Sequence, residues 1–346
     1  MVSSGASVYD FGDVTLPVTR RAIPFYGIDG GIHISLTDAD NEVRLMITFL
    51  SKQGIDISRD AERKLETLFM REDFIRCEPD EIKAVTNLFD YKLYYQREIL
   101  NETGKVQNMK VSIEGRGYSA EVFREMGINI ATADRKGIIS AYIDDNAERL
   151  VLSDELGRTI TGEKYNVLAA IIAIKSGEKT VVMSNSGSNT IEEIANKYNA
   201  STVRCKTQKA QMMECLQKNS VMQFRLMYDA VYALAKICAF LSENSIRLCD
   251  LADEIPEIHL VEKEVRCEAG KKGSVIRSIA DTAGRQWNGG RIELEEGVKI
   301  INDNGWVLIV PHAEKPVCRV ISEGTSEEYA NELCDIYIKE VERLSE

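Results

Sequence analysis

Histidine is scarce in this chain of 346 residues: there are three, His33, His259 and His312, far apart in sequence. That scarcity excludes a histidine-rich metal centre. The eight cysteines form no Cys-x-x-Cys pair and sit in apolar contexts such as those of Cys238 and Cys334. They read as reduced core residues, neither a disulfide framework nor a zinc site. No apolar run approaches the length of a bilayer span, and the opening residues do not read as a signal peptide, so a cytoplasmic protein without a membrane segment is expected. Positive charge is in deficit as well. With 43 Lys and Arg against 55 Asp and Glu, the net charge of -12 argues against a nucleic-acid or anionic-membrane surface, while leaving room for a basic pocket that holds a small phosphate.

What remains is an ordinary globular composition, 44% hydrophobic and 28% charged, in a chain long enough for two to four domains. A helix with Pro17 in its first turn is predicted from Leu16 to about Tyr26. A strand over 30–35 follows, ending in a loop over 36–40. Residues 60–100 are helical by pattern, with a charged linker near 78–81. Alternation over 106–113 gives a strand that enters Gly115-Arg116-Gly117, a glycine pair that suits either a phosphate turn or a merely tight one. Further on, 165–175 and 226–241 read as core helices and 180–184 as a buried strand. The last unit, from 258, combines one strand, a helix over 273–283, three antiparallel strands over 298–301, 305–310 and 318–321, and a final helix. Thr325 and Glu328 are placed as that helix's capping box.

The chemistry concentrates in Asp144-Asp145-Asn146-Ala147-Glu148-Arg149, between the apolar runs 137–142 and 150–152. Oxygen-bearing side chains at Asp144, Asn146 and Glu148 can converge on a hard cation if the loop curls around it. The same residues equally make a polar turn between two strands.

With the residues after it, through Thr161-Gly162-Glu163, this stretch resembles the metal-loop region of the α-D-phosphohexomutases, the phosphomannomutase and phosphoglucomutase family. The family's loop reads Asp-Gly-Asp-x-Asp-Arg; Asp144, Ala147 and Arg149 match it, while Asn146 and Glu148 replace aspartates and Asp145 a glycine. Thr37 falls on the serine that carries the family's transferable phosphoryl group, and Asp38 on the adjoining histidine. The family's C-terminal phosphate clamp corresponds to residues 310–319, where Pro311, Pro316 and Arg319 are kept and the first Arg, the Ser, the Gly and the Thr are not. The sugar-gripping loop Gly-Glu-x-Ser-Gly-His has no counterpart near 215–223.

The resemblance implies an α/β fold of successive three-layer α/β/α mutase domains plus a C-terminal α+β domain with an antiparallel sheet. Its expected segments are 1–80, an incomplete first domain, then 81–152 with the metal loop, 153–257 and 258–346. It implies an intramolecular phosphotransferase interconverting hexose 1-phosphate and 6-phosphate, of mannose or glucose, with activity weak or lost. Thr37 would be the catalytic residue, magnesium would be held weakly or not at all by Asp144, Asn146 and Glu148, and the substrate phosphate would meet Arg149, His312, Lys315 and Arg319. The chain most resembles the mutase-like C-terminal half of bacterial bifunctional sugar-phosphate nucleotidyltransferase/phosphomutase proteins. The other reading is therefore a non-catalytic module that binds a sugar phosphate or assembles with a nucleotidyltransferase of the mannose-1-phosphate guanylyltransferase type.

Overall fold

The computed structural model describes residues 1–39, 42–72, 74–107, 109–131, 137–286 and 291–345, with the backbone alone for 37–39, 42 and 284–286. The chain divides into two compact units, one comprising Met1–Val182, Ala195–Ser201 and Gln208–Ile255, the other Met183–Ile194, Thr202–Thr207 and Pro256–Glu346.

Strand β1 (Tyr9–Asp10) and helix α1 (Leu16–Tyr26) open the first unit; α1 has the expected bounds, with Pro17 in its first turn and Gly27, at φ 65°, as its C-cap. Strands β2 (Gly30–Ala39) and β3 (Glu42–Ser51) then pair antiparallel along their full length. The loop expected over 36–40 is thus strand as far as Ala39, because β3 takes up the backbone groups that a loop would have left to solvent. Helix α2 (Arg59–Met70) is capped by Ser58, which accepts from the Ala61 amide, and it has no buried residue. Strand β4 (Thr86–Asn87) runs parallel to β1, and α3 (Tyr91–Thr103) follows.

A five-stranded sheet in the order β6-β5-β7-β8-β9 forms the body of this unit, built from β5 (Lys110–Gly115), helix α4 (Ala120–Glu125), β6 (Asn129–Ala131), β7 (Ile139–Ile143), β8 (Leu150–Ser153) and β9 (Thr159–Ile160). β5 lies parallel to β6 and β7, while the β7–β8 pair is antiparallel around the Asp144 loop. Helix α5 (Gly162–Lys175) is buried continuously from Val167 to Ile174, which explains its apolar surface on every side. After β10 (Thr180–Ser184), α6 (Thr190–Lys197) and β11 (Ser201–Cys205) come α7 (Lys209–Asn219), α8 (Val221–Tyr228), α9 (Ala230–Asn244) and α10 (Leu248–Ala252). The single helix expected over 226–241 is two helices that meet at Asp229. Its carboxylate caps α9 by accepting from the Tyr232 amide at 3.0 Å and also accepts from the Tyr95 hydroxyl at 2.6 Å, a gain that continuing the helix would forfeit.

In the second unit, β12 (Leu260–Arg266), helix α11 (Lys272–Gln286), β13 (Arg291–Glu293), β14 (Val298–Asn302), β15 (Gly305–Pro311), β16 (Val317–Gly324) and helix α12 (Glu327–Ser345) make an antiparallel sheet in the order β12-β16-β15-β14-β13. Val265, Val307, Ile309 and Val320 of the strands pack with Val275 and Ile279 of α11 and Leu333 and Tyr337 of α12. The opposite side of the strands buries Trp306, Leu308 and Ile321. There Glu323 accepts from Trp306 Nε1 at 2.6 Å, from the Asn189 amide at 2.9 Å and from the Ser188 hydroxyl. Lys299 donates to the Asn185 carbonyl at 2.7 Å and lies 3.9 Å from the Trp306 ring centre. Ser326, and not the expected Thr325, accepts from the Tyr329 amide at the start of α12. Cys77, Cys238, Cys249, Cys267, Cys318 and Cys334 are free thiols, as expected of them. Among the described residues no helix is long and apolar enough to cross a membrane.

Candidate functional site

The Asp144 loop is held mainly by backbone bonds. Within it, the Asp144 amide donates to the Arg149 carbonyl at 3.2 Å, the Ala147 amide to the Asp144 carbonyl at 2.9 Å, and the Arg149 amide to Asp144 Oδ1 at 2.9 Å. Outside it, the Asn146 carbonyl accepts from the first amide of α1, Leu16, and the Ala147 carbonyl from the first amide of α9, Ala230. Both helices thereby spend an otherwise unpaired N-terminal donor on fixing this loop. Gly115 and Gly117 explain themselves here. A Cβ on Gly117 would lie 2.0 Å from the Asp144 carbonyl oxygen, and one on Gly115 1.8 Å from that of Ile143, so this glycine pair serves close backbone approach.

Asp144, Asn146, Glu148 and Arg149 all line one cleft of about 750 Å³, together with Asp56, Arg59, Lys209 and the apolar Ile47 and Phe49. The sequence-predicted metal residues are therefore brought to a common place. Their carboxylates, however, have other partners. Glu148 accepts from Arg20 Nη2 at 2.7 Å and lies 2.9 Å from Lys209 Nζ, while Asp56 lies 2.7 Å from Arg20 Nη2 and 3.1 Å from Lys209 Nζ. Two cations and two carboxylates neutralise one another around the buried Arg20. Burial raises the pKa of Asp144 above the ordinary carboxylate range, against the opposing pull of the Arg149 and Glu148 amides. Among the described residues no group of three or more His, Cys, Asp or Glu is placed to hold a metal ion. Arg20, Asp56 and Lys209 were not singled out from sequence, and nothing in their local context marks them, since their meeting depends on three distant segments.

Thr37 stands on β2 opposite Arg44, so its backbone belongs to a hairpin rather than to the expected loop; its side chain is outside the described residues. Nearby, His33 is buried with Nδ1 3.0 Å from the Thr19 hydroxyl, and burial lowers its pKa.

The turn between β15 and β16 gives the expected phosphate residues other partners. His312 Nδ1 accepts from the Glu314 and Lys315 amides, each at 3.1 Å, so the imidazole fills a place where converging amides would hold an anion. Lys272 Nζ donates to the His312 carbonyl at 2.6 Å and to that of Lys315 at 2.5 Å. Lys315 Nζ lies 3.4 Å from Glu264, and Arg319 Nε donates to Glu262 at 2.6 Å. The polar groups named in this turn thus find their partners within the second unit.

No family model matches the chain. A protein from Thermococcus kodakarensis named phosphoglucomutase/phosphomannomutase is 25% identical over 401 positions, covering 99% of this chain and 85% of its own length. A crystal structure of a phosphoglucomutase/phosphomannomutase family protein from Burkholderia thailandensis superposes with a TM-score of 0.78 at 13% identity, covering 99% of this chain and 84% of that one. The fold is that of the phosphohexomutases. The phosphohexomutase fold also relates the chain to Aspergillus fumigatus N-acetylphosphoglucosamine mutase, solved with GlcNAc-6P and magnesium, at a TM-score of 0.61, 12% identity and coverage of 96% and 92%. The match to the Thermococcus protein spans more positions than this chain has residues, so that relative carries internal segments that this chain lacks.

Proposed function

We propose that this chain is a mutase-fold module that binds a hexose phosphate in the Asp144 cleft and transfers phosphoryl groups between the 1- and 6-positions slowly at most. The observation that carries this reading is Glu148, which shares the cleft with Asp144, Asn146 and Arg149 yet is bound to Arg20 and Lys209. Phosphoryl transfer depends on neutralising the charge that spreads over the moving group, and a carboxylate committed to two cations is withdrawn from holding the ion that would do it. The residues present do not fit a magnesium site, and no step is assigned to that ion. Arg149 supplies positive charge on the cleft wall that a sugar phosphate requires. Thr37 occupies the position of the transferred group's carrier, with a methyl that crowds in-line attack. His312, Lys315 and Arg319 serve in this reading to shape the turn.

Calorimetry with glucose 1-phosphate and mannose 1-phosphate, paired with a coupled mutase assay in the presence of magnesium and catalytic bisphosphate, tests it. Binding should weaken about tenfold in Arg149→Ala, equivalent to one charge-assisted contact, with no turnover above background. Turnover abolished by both Thr37→Ala and Asp144→Ala would establish an active mutase instead. Failure of either hexose phosphate to bind would remove the binding module as well.

A further inference from the structure

The hairpin β2–β3 presents one face that is apolar from Ile32 to Leu36 on one strand and from Val43 to Phe49 on the other. Ile32 faces Phe49, Ile34 faces Ile47, and Leu36 faces Leu45 across the ladder, with Val43 continuing the same side. Ile34, Leu36, Val43 and Leu45 are 60%, 63%, 68% and 62% exposed, so among the described residues no element covers them. Helix α2 has the complementary deficiency. Ala61, Leu65, Leu68 and Phe69 form a stripe at positions i, i+4, i+7 and i+8, yet no residue of the helix is buried, and Leu68, Phe69 and Met70 are exposed. One chain thus carries a sheet face without a helix and an amphipathic helix without a sheet, in an architecture whose layers are stabilised by packing one on the other.

We propose that two copies of this chain exchange these elements, α2 of each protomer lying on the apolar β2–β3 face of its partner. The exchange is reciprocal, as closed twofold symmetry requires of a self-complementary surface. Its size suits a stable dimer: the exposed hairpin residues and the α2 stripe together offer on the order of 1,000 Å² per protomer, against about 800 Å² per partner in a standard interface. Ile47 and Phe49 of this face also line the Asp144 cleft, so dimerisation is read by sedimentation without ligand and hexose-phosphate binding by calorimetry, each on its own.

Sedimentation of the full chain across the micromolar range should show a dimer. Ile34→Glu and Phe69→Glu both replace exposed residues, so each variant should keep the wild-type circular dichroism while dimerisation weakens about 100-fold, as for loss of an interface hot spot. Mixing the two variants provides the sharper test. In the mixed pair one hairpin and one helix are both intact, so heterodimer should form more tightly than either variant self-associates. A monomeric wild type overturns the proposal, as does a dimer unaffected by Phe69→Glu. A mixture that associates no better than the separate variants overturns reciprocal exchange.

Discussion

Two antiparallel structures in this chain share one sequence pattern and meet opposite fates. In the second unit, β12-β16-β15-β14-β13 has α11 and α12 packed on one side and buries Trp306, Leu308 and Ile321 on the other. In the first unit, β2–β3 alternates just as regularly and leaves Ile34, Leu36, Val43 and Leu45 bare. Alternation states which side chains share a face; whether that face is covered depends on a second layer arriving from elsewhere. The two structures are also fixed differently. The sheet of the second unit is held by its core, whereas the segment just after β3 is tied by Asp56 into the Arg20, Glu148 and Lys209 cluster.

The contrast can be broken most directly at Trp306. Trp306→Ala removes a fully buried ring and a donor to Glu323, and should cost about 3–5 kcal/mol in urea unfolding. Leu45→Ala, made in the monomeric Phe69→Glu background, should cost less than about 0.5 kcal/mol. Equal costs would mean that the hairpin face is covered after all. The next largest effect belongs to Lys299, whose pKa is pushed down to about 8 by burial, with Arg204 adding to the shift. Between about pH 8 and the ordinary value of 10.5, the unfolded chain then binds more protons than the folded one, so this group's contribution to stability rises with pH; below pH 8 its full penalty is present. Lys299→Met should therefore exceed wild type by up to roughly 3 kcal/mol at pH 7, less the lost contacts to Asn185 and Trp306. That advantage should shrink from pH 8 to 10.5. A difference independent of pH would show Lys299 to be solvated. Smaller still, Glu148→Ala should cost about 2 kcal/mol, below the usual loss for a broken buried pair because Asp56 still holds Arg20. Hydrogen exchange should quicken first in β3, where the cluster is tied, and leave β15 and β16 unchanged.

How much of this was legible in advance varies by element. The start of α1 followed from Pro17, and the strand that opens the second unit's sheet from alternation, because first-turn prolines and period-two patterns are local signals. The expected mixed α/β architecture with a C-terminal antiparallel sheet is the one observed. The break at Asp229 was not legible, since the Tyr95 hydroxyl that rewards it comes from a distant helix. Nor was the duty of Gly117, whose missing side chain makes room for the Asp144 carbonyl. The site divides in the same way. Asp144, Asn146, Glu148 and Arg149 were found as neighbours in sequence, but their partners Arg20, Asp56 and Lys209 were not.

The sequence by itself determined where helices begin, which strand faces are apolar, and that the oxygen-rich loop stands between two buried strands, because these depend on nearby residues. Only the tertiary structure decided that Glu148 meets two cations, that His312 takes up the amides of its own turn, and that the β2–β3 face goes uncovered in the protomer. Those outcomes depend on which distant groups arrive within bonding distance, and no local pattern encodes that.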